Sequence, residues 1–176
     1  MTVVDVRLAG LDDAGAIARI HVETWRTTYA GMLPDDLLIR MSLDGQTRLW
    51  QRMLRDGETV LVAEDPAVGI VGFGSYGPNR SGRGGFTGEV YTLYVLPDYQ
   101  GRGLGQGLLG ALFAALQREG HETALIWVLA TSPSRFFYEA MGGTRVARRD
   151  ATMWGEKVAE LAYGWENVHA LPPARV

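Results

Sequence analysis

From Glu89 to Arg118 an apolar run passes through a glycine-punctuated bend into a helical pattern. Glu89-Val90-Tyr91-Thr92-Leu93-Tyr94-Val95-Leu96 is rich in β-branched and aromatic residues, which favour strands, and Pro97-Asp98-Tyr99 ends it. Between Gly103 and Arg118, Leu104, Leu108, Ala111, Leu112, Ala115 and Leu116 fall on one side of a predicted helix. The link is Gln100-Gly101-Arg102-Gly103-Leu104-Gly105. Glycines let a backbone approach a ligand closely and turn where other residues resist. A helix start offers N–H groups with no intrahelical partner, and its dipole favours negative charge. Together these make a cradle suited to a pyrophosphate. An ordinary glycine-rich turn is the plain alternative.

Two other phosphate motifs are set aside. A nucleotide-triphosphate P-loop needs Gly-Lys followed by Ser or Thr, and that pair is absent. Gly105, Gly107 and Gly110 spell a G-x-G-x-x-G, but inside the predicted helix and not in the strand-to-helix turn where a dinucleotide fingerprint belongs.

Elsewhere the chain alternates strand and helix patterns. Val4, Val6 and Leu8 have the period of a half-buried strand, and Asp12 and Asp13 offer N-cap chemistry to a helix carrying Ile17, Ile20, Val22, Trp25 and Tyr29. A second helix is expected after Pro34 and a third near Gly45–Arg55. Strands are expected at Thr59–Glu64, Ile70–Tyr76, Ala124–Ala130, Thr144–Arg148 and Ala159–Trp165, and a helix at Ser134–Met141 before Gly142-Gly143. Gly77–Gly88, with five glycines, reads as a mobile hairpin loop, either a flap over a site or a solvent-exposed connector. No linker divides the chain, so one domain over residues 1–165 and a tail over 166–176 are expected.

Composition narrows the function. Charged residues are 21% and the net charge is −3, with no basic block of the kind that grips nucleic acid. With no cysteine there is no disulfide, thiolate zinc site or cysteine nucleophile. His21, His121 and His169 lack metal-ligand spacing, so no metal is expected. No apolar run reaches membrane-spanning length, and Met1–Arg7 lacks the pattern of a signal peptide. A cytoplasmic protein with no membrane partner is the expectation.

The stretch Leu93-Tyr94-Val95-Leu96-Pro97-Asp98-Tyr99-Gln100-Gly101-Arg102-Gly103-Leu104-Gly105 closely resembles the acetyl-CoA signature of the GNAT superfamily, Gln/Arg-x-x-Gly-x-Gly/Ala opening a helix after a strand. Gln100, Gly103 and Gly105 hold its key positions, and the resemblance runs from about Val4 to Trp165. It implies an α/β (α+β) fold: a mixed, mostly antiparallel sheet of about seven strands flanked by helices, with splayed central strands holding CoA. It implies acetyl-CoA as co-substrate, met by Leu93, Tyr94, Val95, Gln100, Gly101, Arg102, Gly103, Leu104, Gly105, Gln106, Thr131 and Tyr138. Many members carry Asn-x-x-Ala-x-x-x-Tyr-x-x-x-Gly after the next strand. Here Tyr138 and Gly142 match, but Thr131 replaces the asparagine and Ser134 the alanine. Trp25-Arg26-Thr27-Thr28-Tyr29-Ala30-Gly31-Met32-Leu33-Pro34 is similar to a stretch common in bacterial members of unassigned substrate.

The implied reaction is acetyl transfer to a primary amine, of a small molecule or of a protein N-terminus or lysine, by direct attack. An alkyl amine with a pKa of ~10.4 must lose a proton first, which costs roughly 4 to 5 kcal/mol at pH 7. Glu89 stands where the family often places its base, and by period two it shares a strand face with Val95. A solvent-exposed strand-end glutamate and a substrate-binding residue are the other readings. Tyr138, as a phenol with a pKa of ~10, stays protonated at pH 7 and can serve the departing thiolate, or is simply a core tyrosine. The N–H of Val95 is the implied polariser of the carbonyl. Trp25 and Tyr29, four apart on one helix face, are either walls of the acceptor pocket or core packing. A catalytically silent CoA-binding module, transfer of a larger acyl group, and self-association as a homodimer stay open.

Overall fold

Strand and helix patterns alternate along the chain, and the structure, a computed structural model, resolves that alternation into a layered α/β arrangement. It describes residues 4–153, 155–169 and 171–172. The order is β1 (Asp5–Leu8), α1 (Ala14–Thr28), α2 (Asp35–Arg40), α3 (Leu43–Arg55), β2 (Thr59–Asp65), β3 (Gly69–Pro78), β4 (Gly88–Val95), α4 (Leu104–Arg118), β5 (Ala124–Leu129), α5 (Ser134–Ala140), β6 (Thr144–Met153) and β7 (Glu156–Trp165). The strands form the expected mixed sheet of seven, in the order β1-β2-β3-β4-β5-β7-β6. β4 and β5 pair in parallel, registering Gly88 with Ala124, Glu89 with Leu125 and Val90 with Ile126. The recorded pairs β1–β2, β2–β3, β5–β7 and β6–β7 are antiparallel.

Two compact units can be distinguished. The first comprises the chain up to Tyr76 together with Thr92–Leu112. Its core joins Ile17, Ala18 and Ile20 of α1 to Trp50 of α3 and to Val60, Val62, Ile70, Val71 and Phe73 of β2 and β3. Gly74 is glycine for a packing reason: a Cβ there would meet Leu112 Cδ1 at 2.6 Å and the Thr92 carbonyl at 3.0 Å, so its absence lets α4 lie close on β3. Arg7 of β1 donates to both carboxylate oxygens of Asp13, at 2.8 and 3.0 Å, and to Glu64 of β2 at 2.7 Å. Asp13 stands at the N-cap position of α1, as the sequence suggests. Its carboxylate turns back to Arg7 and to the Gly10 N–H, and no side chain caps α1. Ser42 supplies the cap of α3, accepting from the Gly45 N–H at 3.0 Å, so that helix starts earlier than its apolar pattern indicates.

The second unit comprises Gly77–Tyr91 and the chain from Phe113 onward. Strand alternation gives it two faces. Ala124, Ile126, Tyr163 and Trp165 point to one, where Phe113 of α4 and Tyr138 of α5 pack against Trp165 at ring distances of 5.1 and 6.3 Å. Leu125, Trp127, Leu129, Glu160, Ala162 and Gly164 point to the other. The β6–β7 hairpin is longer than the expected Thr144–Arg148 and Ala159–Trp165. Its outer half is polar and largely exposed, so it lacks the apolar alternation by which strands are read. The Gly77–Gly88 segment is an organised hairpin. Asn79 Nδ2 donates to the carbonyls of Arg83 and Phe86 at 2.9 and 2.8 Å, while Asn79 Oδ1 accepts from Ser81 N–H and Oγ–H at 2.8 and 2.6 Å. The tail expected from Glu166 falls partly outside the described residues.

Candidate functional site

The glycine turn after β4 has the geometry that its sequence demands. Pro97–Tyr99 makes one 3₁₀ turn, and Gln100 Nε2 donates to the Val95 carbonyl at 2.9 Å, tying the bend to the strand end. Gly101 and Gly103 take φ of 72° and 79°, a left-handed conformation that side-chain-bearing residues rarely adopt. A Cβ at either would meet no protein atom within 4 Å, so backbone shape and not packing requires glycine there. The Gly107 N–H bonds to the Gly103 carbonyl at 3.0 Å, which makes Gly103 the residue from which α4 springs. The N–H groups of Leu104 and Gly105 therefore lie in the first turn, where a helix supplies no acceptor of its own. Open space, left-handed glycines and N–H donors at the positive end of a long helix fit a pyrophosphate. Leu93 and Tyr94 are half-buried, Val95 is buried, and Arg102 is exposed with its guanidinium 5.4 Å from the Tyr99 ring. Gln106 sits in the first turn of α4. The G-x-G-x-x-G of Gly105, Gly107 and Gly110 lies wholly within α4.

Glu89 is buried at the second position of β4, not a solvent-exposed strand end. One carboxylate oxygen accepts the Arg80 main-chain N–H at 2.7 Å. Burial pushes the carboxyl above the ordinary glutamate range, against the pull of the Arg80 and Ser81 N–H groups and of the Arg149 and Arg80 charges. By alternation and register Glu89 shares its face with Tyr91, Trp127, Glu160 and Arg149. The Arg80 guanidinium lies 3.6 Å from the Tyr91 ring centre, and that of Arg149 lies 3.9 Å from the Trp127 ring centre. Arg149 Nε donates to Glu160 at 2.7 Å.

Tyr138 is buried on the opposite face, 6.2 Å from the Tyr163 ring. Its helix ends as the glycine pair suggests. Gly142 has φ 86°, its N–H bonds to the Glu139 carbonyl at 3.0 Å, and the Gly143 N–H bonds to the Tyr138 carbonyl at 2.9 Å, a Schellman closure. Thr131 is exposed in the turn after β5.

Trp25 and Tyr29 are both buried, with ring centres 4.9 Å apart. Trp25 Nε1 donates to the Tyr94 hydroxyl at 3.0 Å, which brings an expected acceptor-side residue against an expected cofactor-side one. Between them lies His21, stacked on Tyr94 at 5.5 Å and accepting at Nδ1 from Trp50 Nε1 at 3.1 Å. Burial holds its imidazole down at about pKa 4, so it is neutral at pH 7. In the sequence His21 carries no signal beyond its lack of metal-ligand spacing. Trp127, Arg149 and Glu160 carry no local sequence signal, because cross-strand register brings them to the face of Glu89, and Arg80 reaches it through the loop between β3 and β4.

Among the described residues no group of three or more His, Asp or Glu is placed to hold a metal ion, and no helix is long and apolar enough to cross a membrane. The model of the acetyltransferase (GNAT) family matches residues 18–143. The uncharacterized N-acetyltransferase YuaI of Bacillus subtilis is 36% identical over 168 residues, covering 96% of each chain. A GCN5-related N-acetyltransferase structure from Rhodopseudomonas palustris superposes with a TM-score of 0.73 at 21% identity, covering 93% of this chain and 96% of that one. The structure of yncA, a putative acetyltransferase from Salmonella typhimurium with its cofactor acetyl-CoA, gives a TM-score of 0.67 at 25% identity, covering 98% and 99%.

Proposed function

The chain belongs to the acetyltransferase (GNAT) family of acyl-CoA-dependent N-acetyltransferases, and from that premise we propose that it moves the acetyl group of acetyl-CoA onto a primary amine by direct attack. The observation that carries the donor half is the left-handed turn at Gly101 and Gly103 opening onto the start of α4. Main-chain N–H groups of Leu104 and Gly105 would hold the pyrophosphate, with Arg102 and Gln106 beside them. Leu93 to Val95 would lie along the pantetheine, and Thr131 would offer its hydroxyl where many relatives have an amide. Bound acetyl-CoA supplies an activated thioester carbonyl.

The chain's own groups then manage protons. Glu89 takes the proton that leaves the amine, directly or through water, and its raised pKa makes it a stronger base than an exposed glutamate. The Val95 N–H would polarise the thioester carbonyl. From the opposite face of the sheet, the Tyr138 hydroxyl would give a proton to the sulfur as the C–N bond forms and the C–S bond breaks. Trp25 and Tyr29, buried together with Trp25 bonded to Tyr94, would wall the acceptor pocket. The setting we assign is the cytoplasm. The test is a thiol-release assay with acetyl-CoA and a broad panel of primary amines. Turnover on at least one acceptor is expected. Calorimetric binding of acetyl-CoA with no release on any amine would mark a silent CoA-binding module instead.

A further inference from the structure

The face that carries Glu89 has a marked charge pattern for a chain whose net charge is −3. Glu89 and Tyr91 of β4, Trp127 of β5, Glu160 of β7 and Arg149 of β6 all point to it. Both aromatic rings are covered by guanidinium groups, Arg80 on Tyr91 and Arg149 on Trp127. Within this unit, Phe113 of α4 and Tyr138 of α5 pack on the other face. What lies on this one is the β3–β4 loop, whose Phe86 ring fills the space above Gly164 and whose Arg83 donates to the Val146 carbonyl at 2.8 Å.

Arg149 is held, but its hydrogen-bonding capacity is not used up. Nε is engaged by Glu160, whose side chain is 12% exposed, and the guanidinium plane rests on Trp127. A guanidinium has five N–H donors in a fixed fork, and among the described residues Nε–Glu160 is the one hydrogen bond of this side chain. The Arg149 side chain remains 42% exposed. Trp127 Nε1 is a buried donor with no acceptor among the described residues. Exposed guanidinium donors held in place beside a carboxylate base are available to receive an anionic group of the ligand. A stacked, side-on-anchored arginine is also preorganised for bidentate carboxylate binding.

We propose that the acceptor amine of this enzyme also carries a carboxylate, which the Nη groups of Arg149 receive while Glu89 faces the amine. The acceptor class is thus an amino carboxylate and not a simple alkylamine or a polyamine. This rests on the reading of the Glu89 face as the acceptor face. Arg149 is a specificity residue in it, and Trp127 and Glu160 are positioning residues.

The experiment compares matched pairs, L-leucine with isopentylamine and L-phenylalanine with phenethylamine, in the protein saturated with acetyl-CoA. The amino acid of each pair should show a kcat/KM at least tenfold higher, mainly through KM. Arg149→Gln should abolish that preference, and Arg149→Lys should restore part of it. Because Arg149→Gln leaves Glu160 buried without its ion pair, the double variant Arg149→Gln/Glu160→Gln guards against a folding defect. Calorimetric titration of the same pairs into CoA-saturated protein needs no turnover. Binding of the amino acids that is lost in Arg149→Gln supports the proposal even if no acetylation occurs, and in that event the transfer reading fails alone. Equal turnover or equal binding within each wild-type pair, no binding of either member, or an equal loss for both members in Arg149→Gln, overturns it. A preference seen only with peptides bearing an N-terminal aspartate, and not with free amino acids, also overturns it in favour of a protein acceptor.

Discussion

The Glu89 carboxylate accepts the Arg80 main-chain N–H at 2.7 Å, so the residue proposed as base also pins the loop that follows β3. Glu89→Gln keeps an oxygen for that N–H and should fold. It cannot take a proton. Turnover should fall by about 10²-fold or more and recover as pH rises toward ~10.4, where solvent supplies the neutral amine. In the wild type the rate should climb with pH as Glu89 ionises, and burial places that limb above the ordinary glutamate range. The limb should vanish in the variant. Identical pH–rate profiles for the two proteins from pH 6 to 9 would remove Glu89 from the proton path.

Tyr138 packs against Tyr163 and Trp165, so its ring has a structural role whatever its hydroxyl does. Tyr138→Phe separates the two. Turnover should drop by about 10²-fold or more with acetyl-CoA binding nearly unchanged. A fully active phenylalanine variant at every pH would leave Tyr138 as packing alone.

The pyrophosphate cradle is best probed at Gly105. At Gly103, φ is 79° and any side chain strains the backbone, which would confound the result. Gly105 lies within α4, where valine is no poorer a helix former than glycine. Gly105→Val should weaken acetyl-CoA at least tenfold by calorimetry, with a circular dichroism spectrum like that of the wild type. Unaltered affinity would place the pyrophosphate elsewhere.

His21 makes stability depend on pH. Its folded pKa, about 4, lies below the ordinary value of 6.5, because burial disfavours the imidazolium. Between those values the unfolded chain binds the extra proton, so stability rises with pH across that window and levels off above it. The change is on the order of 3 kcal/mol, at about 1.4 kcal/mol per unit. Urea denaturation from pH 4 to 7 should show it. His21→Asn, which can still accept from Trp50, should flatten that slope. A wild-type slope that persists in the variant would assign it to other groups.

Much of the fold was legible because its signals are local. The run into Pro97, the glycines of the bend and the leucines of α4 each reflect the conformational preferences of a few adjacent residues. The extra length of β6 and β7 was not, because their outer halves pair polar, exposed residues that carry no alternation. Asp13 holds the N-cap position of α1 but makes no cap bond, because Arg7 is a stronger partner than any helix N–H. Gly77–Gly88 reads as slack from composition, yet Asn79 and the Glu89 carboxylate organise it.

What the chain order alone determined is the cradle: Gly101 and Gly103 can take left-handed φ, and α4 must start just beyond them. These are properties of contiguous residues, independent of what packs around them. What only the tertiary structure decided is the company of Glu89. Arg149, Glu160 and Trp127 reach its face through three successive strand registers, β4 on β5, β5 on β7 and β7 on β6. A shift of one residue in any of them would turn those side chains to the other face, and only the packing of the whole sheet holds the register.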